Sequence, residues 1–170
     1  MYGHGRERRS SKVKDTGLVA ATKFLRHPSM VGSAFPASAR MVRHMLAPVD
    51  WSKVRIAVEY GPGSGRFTFA MLERMRPDAR LLAIDTGEEF VGKLRSASAD
   101  RRLIVVKGSA GDVARHLAEH NLGEADLILS GLPFSTFKPS EAEAIMAATA
   151  SALAPSGMFA AIRCALPSGR

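Results

Sequence analysis

From residue 54 onward, short runs of apolar residues alternate with longer stretches in which apolar positions recur every three or four residues. The first pattern predicts buried strands and the second amphipathic helices. Strands are expected at residues 54–59, 80–84, 103–106, 125–129 and 158–162, with helices at 67–75, 88–96, 112–120 and 140–153 between them. Five strands separated by helices imply right-handed crossovers, hence a mostly parallel sheet covered on both faces, a doubly wound α/β fold. No internal repeat interrupts the alternation.

The chain before residue 54 reads differently. Leu18, Val19, Ala21, Thr22, Phe24 and Leu25 fall at helix-compatible spacings beside Lys14, Lys23 and Arg26, until His27-Pro28 disfavours further helix. A short, basic, amphipathic helix is expected there. After a loop containing Gly32 and Pro36, residues 37–46 predict a second helix, with Ser38 as its N-cap and Met41, Val42, Met45 and Leu46 as its apolar set. Residues 1–15 are too polar and charged to bury anything. The expected organisation is a flexible basic arm over 1–15, N-terminal helices over 16–50 and a ligand-binding α/β domain over 51–170.

Composition narrows the class. With 46% hydrophobic and 24% charged residues in 170, the chain suits one globular domain with a real core. The most apolar stretch, 144–166, is broken by Pro155, Gly157 and Arg163, so it falls short of the roughly 18 residues that suggest a membrane-spanning helix. The basic start has no apolar run behind it to make a secretory signal, and the single Cys164 has no internal disulfide partner. A cytoplasmic location is expected. The net charge of +8 is unevenly spread, with 11 Lys+Arg against 3 Asp+Glu in residues 1–55 and 13 against 13 in the remainder. A neutral domain with a basic front end suits an anionic partner, either a phosphate backbone or an acidic membrane surface.

The chemistry concentrates where the first strand runs into Glu59-Tyr60-Gly61-Pro62-Gly63-Ser64-Gly65 and then a helix. Glycines at such a junction let backbone N–H groups approach a ligand closely, in the crevice outside the carboxyl ends of the strands. The dinucleotide fingerprint fails because Arg66 stands at its sixth position, and the Walker pattern fails because Gly65 is followed by Arg66-Phe67. The spacing acid-x-G-x-G-x-G instead resembles the first motif of class I S-adenosylmethionine-dependent methyltransferases. Asp85 closes the second strand 20 residues after Gly65, where an acid can hydrogen-bond ribose hydroxyls.

The resemblance implies S-adenosylmethionine as cofactor, with Glu59 facing its methionine end, Gly61, Gly63 and Gly65 admitting its backbone, Asp85 holding the ribose and Thr86 beside the adenine. Gly108-Ser109-Ala110 follows the third strand where many family members have Gly-Asp-Ala. Ser109 therefore replaces the acid that accepts from the adenine amine, though a serine oxygen also accepts. After the fourth strand, Ser130-Gly131-Leu132-Pro133-Phe134-Ser135 resembles the fourth motif, which implies a cofactor contact for Ser130 and an acceptor loop formed by Gly131, Leu132, Pro133 and Phe134. In rRNA adenine dimethylases the corresponding run is Asn-Leu-Pro-Tyr or Phe, whose Asn carbonyl accepts from the target amine. Gly131 at that position argues against a nucleobase, while the Phe134 ring suits a cationic amine or the sulfonium. No metal is expected.

Two segments resemble bacterial phospholipid N-methyltransferases, which methylate phosphatidylethanolamine: Phe24-Leu25-Arg26-His27-Pro28 followed by Gly32-Ser33-Ala34-Phe35-Pro36-Ala37-Ser38-Ala39-Arg40, and the Ser130–Ser135 loop itself. This implies methyl transfer to the ethanolamine amine at a membrane surface, with Arg6, Arg8, Arg9, Lys12, Lys14, Lys23 and Arg26 on anionic lipid, each contributing about 1 kcal/mol. The expected location sharpens to peripheral on the membrane. An alkylammonium titrates near 10.4, but desolvation and a neighbouring sulfonium both lower it, so no strong base is required and neither His27 nor His44 is assigned that role. The alternatives are an RNA methyltransferase related to the adenine dimethylases and a cofactor-binding domain without catalysis. The family resemblance also implies two strands beyond the fifth, so the domain is expected to be short at its C-terminal end.

Overall fold

The computed structural model describes residues 38–162, so the basic arm, the helix expected over 16–25 and the Phe24–Arg40 run up to residue 37 lie outside the described residues. The first helix, α1, is Ala39–Leu46, and Ser38 caps it by accepting the Met41 N–H at 3.1 Å. Its apolar stripe is the expected one, with Val42 and Leu46 buried and Met41 and Met45 packed at the margin.

Five strands follow: β1 Ile56–Tyr60, β2 Arg80–Asp85, β3 Leu103–Lys107, β4 Ala125–Ser130 and β5 Leu153–Ala161. Between them run α2 Arg66–Leu72, α3 Glu88–Ala97, α4 Val113–Glu119 and α5 Pro139–Ala152. Every pairing is parallel and the sheet order is β3-β2-β1-β4-β5. The doubly wound α/β fold read from the sequence is thus the observed one, and the order reverses between β1 and β4, where such sheets open their ligand crevice.

Alternation along the strands sorts the core into two faces. Ala57, Leu81, Leu127 and Leu129 pack with Val42 and Leu46 of α1 and Phe67, Met71 and Leu72 of α2. On the same side, Ala83 and Val105 meet Val91 and Leu94 of α3. Val58, Tyr60, Leu82, Ile84 and Ile128 point the other way, onto Val113 and Leu117 of α4 and Ile145 and Ala152 of α5. Strands buried on both faces carry near-continuous apolar sequence, which is why β1, β2 and β4 were legible as short runs.

Two boundaries differ from expectation for local reasons. Helix α2 stops at Leu72 rather than continuing to residue 75, and the chain turns there with the Arg74 and Met75 N–H groups both donating to the Met71 carbonyl, ahead of Pro77. Strand β5 begins at Leu153, directly at the end of α5, five residues before the predicted start. Its register with β4 shifts between Ala125 and Leu127, a bulge that absorbs Pro155 and Gly157 within the strand.

Candidate active site

Parallel strands deliver their carboxyl ends to one edge of the sheet, so the loops after β1, β2, β3 and β4 meet there. Backbone hydrogen bonds lace them together: Gly61 N–H donates to the Ile84 carbonyl at 2.9 Å, Gly108 N–H to that of Asp85 at 2.9 Å and Gly131 N–H to that of Tyr60 at 2.8 Å. The structure therefore gathers Glu59, the glycine loop, Asp85, the Gly108–Ala110 turn and the Gly131–Phe134 loop at one end of the sheet.

The glycine loop needs its glycines. Gly61, Gly63 and Gly65 have φ of 63°, 51° and 78°, the left-handed region that side chains disfavour. A Cβ on Gly65 would lie 2.8 Å from Phe69 Cε2 and 3.0 Å from Leu94 Cδ1, so this residue lets the loop sit down onto α2 and α3. A Cβ on Gly63 would meet nothing within 4 Å, so the space in front of that residue is open. Open space before a positive-φ turn at a helix start fits the close approach of a nucleoside ligand's backbone.

Glu59 is 2% exposed and accepts from Thr68 Oγ1 of α2 at 2.6 Å. Burial pushes its carboxyl up to about 7, the Thr68 hydroxyl draws it partly back down, and the neighbouring Asp85 charge adds to the rise. Asp85 is only half-buried, and its Oδ1 accepts the Gly87 N–H at 2.8 Å, which fixes the carboxyl at the strand end. Thr86 beside it is exposed.

Ser109 Oγ accepts the Gly111 N–H at 3.1 Å and caps the 3₁₀ turn Ala110–Asp112, with Ala110 buried beneath. Asp112, which precedes α4, makes no side-chain capping bond, and its carboxylate pairs with Arg115 at 3.3 Å. Ser130 is buried and accepts the Leu132 N–H at 3.2 Å, turning the chain into the acceptor loop. Gly131 lies so close to the glycine loop that a Cβ there would sit 2.8 Å from the Gly61 carbonyl oxygen. Leu132 packs over Gly61, and Phe134, half-buried, meets Phe137 edge-on with ring centroids 5.7 Å apart. His44 stands exposed on α1, and His27 lies outside the described residues.

Several contributors were not singled out from the sequence. Thr68 was hidden within the apolar run of α2, where a polar residue on the buried face is its one signal. Thr149 donates to the Ile145 carbonyl at 2.7 Å, so its single hydroxyl proton is used and Tyr60 is the donor in their 3.2 Å bond, tying the end of β1 to α5. Burial pushes that phenol up to about 12. His116 of α4 is 3% exposed, and its ring occupies the space a side chain on Gly108 would take. Among the described residues no group of three or more His, Cys, Asp and Glu is arranged to hold a metal, and no helix is long and apolar enough to cross a membrane.

A parallel sheet with this reversal, a buried acid leading into a positive-φ glycine loop and a second acid closing the next strand define a nucleoside-binding enzyme of Rossmann-like type. Comparison with known proteins carries this further. The family model described as a methyltransferase domain matches residues 57–157. An ornithine lipid N-methyltransferase from Singulisphaera acidiphila is 30% identical over 138 residues, covering 81% of this chain and 72% of that protein. Among solved structures, the O-methyltransferase TomG from Streptomyces achromogenes, in complex with SAM, aligns with a TM-score of 0.58 at 18% identity, covering 86% of this chain and 64% of that one. A precorrin-6y C5,15-methyltransferase from Geobacter metallireducens aligns at 0.59 and 15% identity, covering 76% and 63%. The chain belongs to the methyltransferase-domain family, as a Rossmann-like methyltransferase dependent on S-adenosylmethionine.

Proposed function

We propose that this methyltransferase transfers methyl groups to the amine of a membrane lipid, with phosphatidylethanolamine as the acceptor on the strength of its sequence motifs. Bound S-adenosylmethionine supplies a methyl group on a sulfonium, open to in-line displacement by an unprotonated amine. Gly61, Gly63 and Gly65 admit the cofactor's backbone, Glu59 offers its carboxylate to the cationic methionine end, and Asp85 accepts from the ribose. Thr86, Ser109, Ala110 and Ser130 border the nucleoside. The acceptor amine is held by the Gly131-Leu132-Pro133-Phe134 loop.

One observation carries the choice of acceptor. An exocyclic nucleobase amine, whose lone pair is delocalised into the ring, needs a hydrogen-bond acceptor beside it to become nucleophilic. The position that supplies an amide for that purpose in the adenine dimethylases is Gly131, whose Cα faces the Gly61 carbonyl so closely that a Cβ would sit 2.8 Å from its oxygen. An aliphatic amine has a localised lone pair and needs no such acceptor. It needs to lose a proton, which desolvation at the half-buried loop and repulsion by the sulfonium both favour, and it needs positioning, which in well-oriented reactions lowers the barrier by up to about 7–11 kcal/mol.

The similarity to an ornithine lipid N-methyltransferase supports the same class of acceptor and raises a second lipid, ornithine lipid, as the competing substrate. The excess of basic residues in 1–55 supports peripheral binding to an anionic membrane surface. The test is label transfer from methyl-labelled cofactor by the full chain, offered phosphatidylethanolamine vesicles, ornithine-lipid vesicles or rRNA. Label in phosphatidylethanolamine supports the assignment, label in ornithine lipid alone moves the acceptor within the lipid class, and label in RNA alone overturns it.

A further inference from the structure

Between the end of β4 and the start of α5, residues 130–140 hold no acid, and their one charge is Lys138, exposed just ahead of α5. The acids that bracket this segment along the chain are Asp126 and Glu141. Asp126, at the start of β4, accepts the Arg55 and Ile56 N–H groups at 2.8 and 3.0 Å, and Glu141 is exposed. A cationic acceptor brought to this loop therefore meets no carboxylate of the loop itself. It meets two aromatic rings.

The turn that carries the rings also fixes them. Phe134 N–H donates to the Leu132 carbonyl at 3.0 Å, Phe137 N–H to the Phe134 carbonyl at 3.3 Å, and Thr136 Oγ1 to the Pro133 carbonyl at 2.9 Å. Positions three apart on a 3₁₀ turn such as Phe134–Thr136 lie one above the other, which brings Phe137 onto Phe134. Their centroids are 5.7 Å apart and their planes 71°. Both rings are half-buried, packed at the margin of the cluster built on Val58, Tyr60 and Ile145, while Leu132 at the head of the turn rests on Gly61. Two rings at that angle form a corner at the end of the loop that covers the first glycine.

We propose that Phe137 determines how far methylation proceeds: with Phe134 it retains the acceptor nitrogen once that nitrogen carries methyl groups, so that one lipid is methylated repeatedly while fresh cofactor replaces the spent one. The inference rests on the lipid-amine reading of the site. Each transfer forms an N–C bond and breaks the sulfonium C–S bond, leaving S-adenosylhomocysteine and an ammonium that gives a proton to water before the next transfer. The unmethylated ammonium has three N–H donors. Each methyl replaces one, until the quaternary product has none. Water and hydrogen-bond acceptors hold the nitrogen less well at every step, whereas an aromatic face attracts its charge throughout and suits the methylated forms best.

The test is mass spectrometry of lipid from phosphatidylethanolamine vesicles in large excess over the full chain, sampled at low conversion. Phe137→Leu, which keeps apolar bulk without a π face, lowers the ratio of di- and trimethylated to monomethylated lipid about tenfold. Phe137→Trp, which keeps an aromatic face, stays within a few-fold of wild type. A ratio of products made by the same molecules does not respond to a fraction of unfolded chain, and calorimetric affinity for S-adenosylhomocysteine is the same in all three proteins. An unchanged ratio in Phe137→Leu overturns the inference and leaves the lipid-amine reading standing, as does a wild type that stops at one methyl. Equal loss in Phe137→Leu and Phe137→Trp also overturns it, making residue 137 a packing position. A wild type that methylates no vesicle lipid removes the lipid-amine reading and the inference with it.

Discussion

Glu59 combines deep burial with a side-chain hydrogen bond from Thr68, and its carboxyl is raised to about 7 from an ordinary 4.5. The folded chain therefore holds a proton that the unfolded chain has already released between those values. The contribution of this group to the stability of the ligand-free protein is fully present below about 4.5 and is lost as pH rises through about 7, a change of about 3 kcal/mol. With Glu59 assigned to the methionine end, as proposed, cofactor binding runs the opposite way, because the ammonium favours the carboxylate. Affinity for S-adenosylhomocysteine rises as pH passes through about 7, and Glu59→Gln flattens that dependence while weakening binding; isothermal titration at several pH values measures both. Gly131 makes a second prediction at this scale. Gly131→Asn forces a Cβ against the Gly61 carbonyl, lowers stability by about 1–3 kcal/mol in denaturant titration, and yields no methylation of RNA adenine.

At the scale of elements, the loop after β3 is set by what lies beneath it. Both ring nitrogens of His116 are buried without a hydrogen-bond partner among the described residues, and Nδ1 lies 3.4 Å from Glu119 Oε2 without bonding geometry. The ring fills the space beside Gly108. Gly108→Ala is expected to cost about 1–3 kcal/mol by overpacking, and much of that loss should disappear in a His116→Ala background; a double-mutant cycle on unfolding free energies reads the coupling. This pair also marks what was legible in the sequence. The strand–helix alternation, the Ser38 cap and the two acids flanking the glycine loop were readable because each depends on residues close in sequence or on burial from both faces. His116 under Gly108, Thr68 on Glu59 and Tyr60 on Thr149 were not, because they join residues whose proximity is created only when the helices dock on the sheet. The early start of β5 was missed for a related reason: Pro155 and Gly157 read as a break, yet the bulge opposite Ala125 and Leu127 admits them.

For the whole molecule, charge and site are separated along the chain. Residues 1–55 carry 11 Lys+Arg against 3 Asp+Glu, while the methyltransferase domain that follows is balanced, 13 against 13. Under the proposed function the basic front end brings the enzyme to an anionic bilayer and the domain does the chemistry there. Deletion of residues 1–26 should then reduce sedimentation with anionic vesicles, more strongly at low ionic strength, while leaving affinity for S-adenosylhomocysteine unchanged. Under the same proposal the acceptor atom is a lipid amine nitrogen. Tandem mass spectrometry of lipid recovered after the full chain has acted on phosphatidylethanolamine vesicles with deuteriomethyl-labelled cofactor locates it. The labelled methyl is expected on the headgroup nitrogen. Unlabelled lipid beside a parallel rRNA sample carrying the label on adenine would rule out a lipid acceptor.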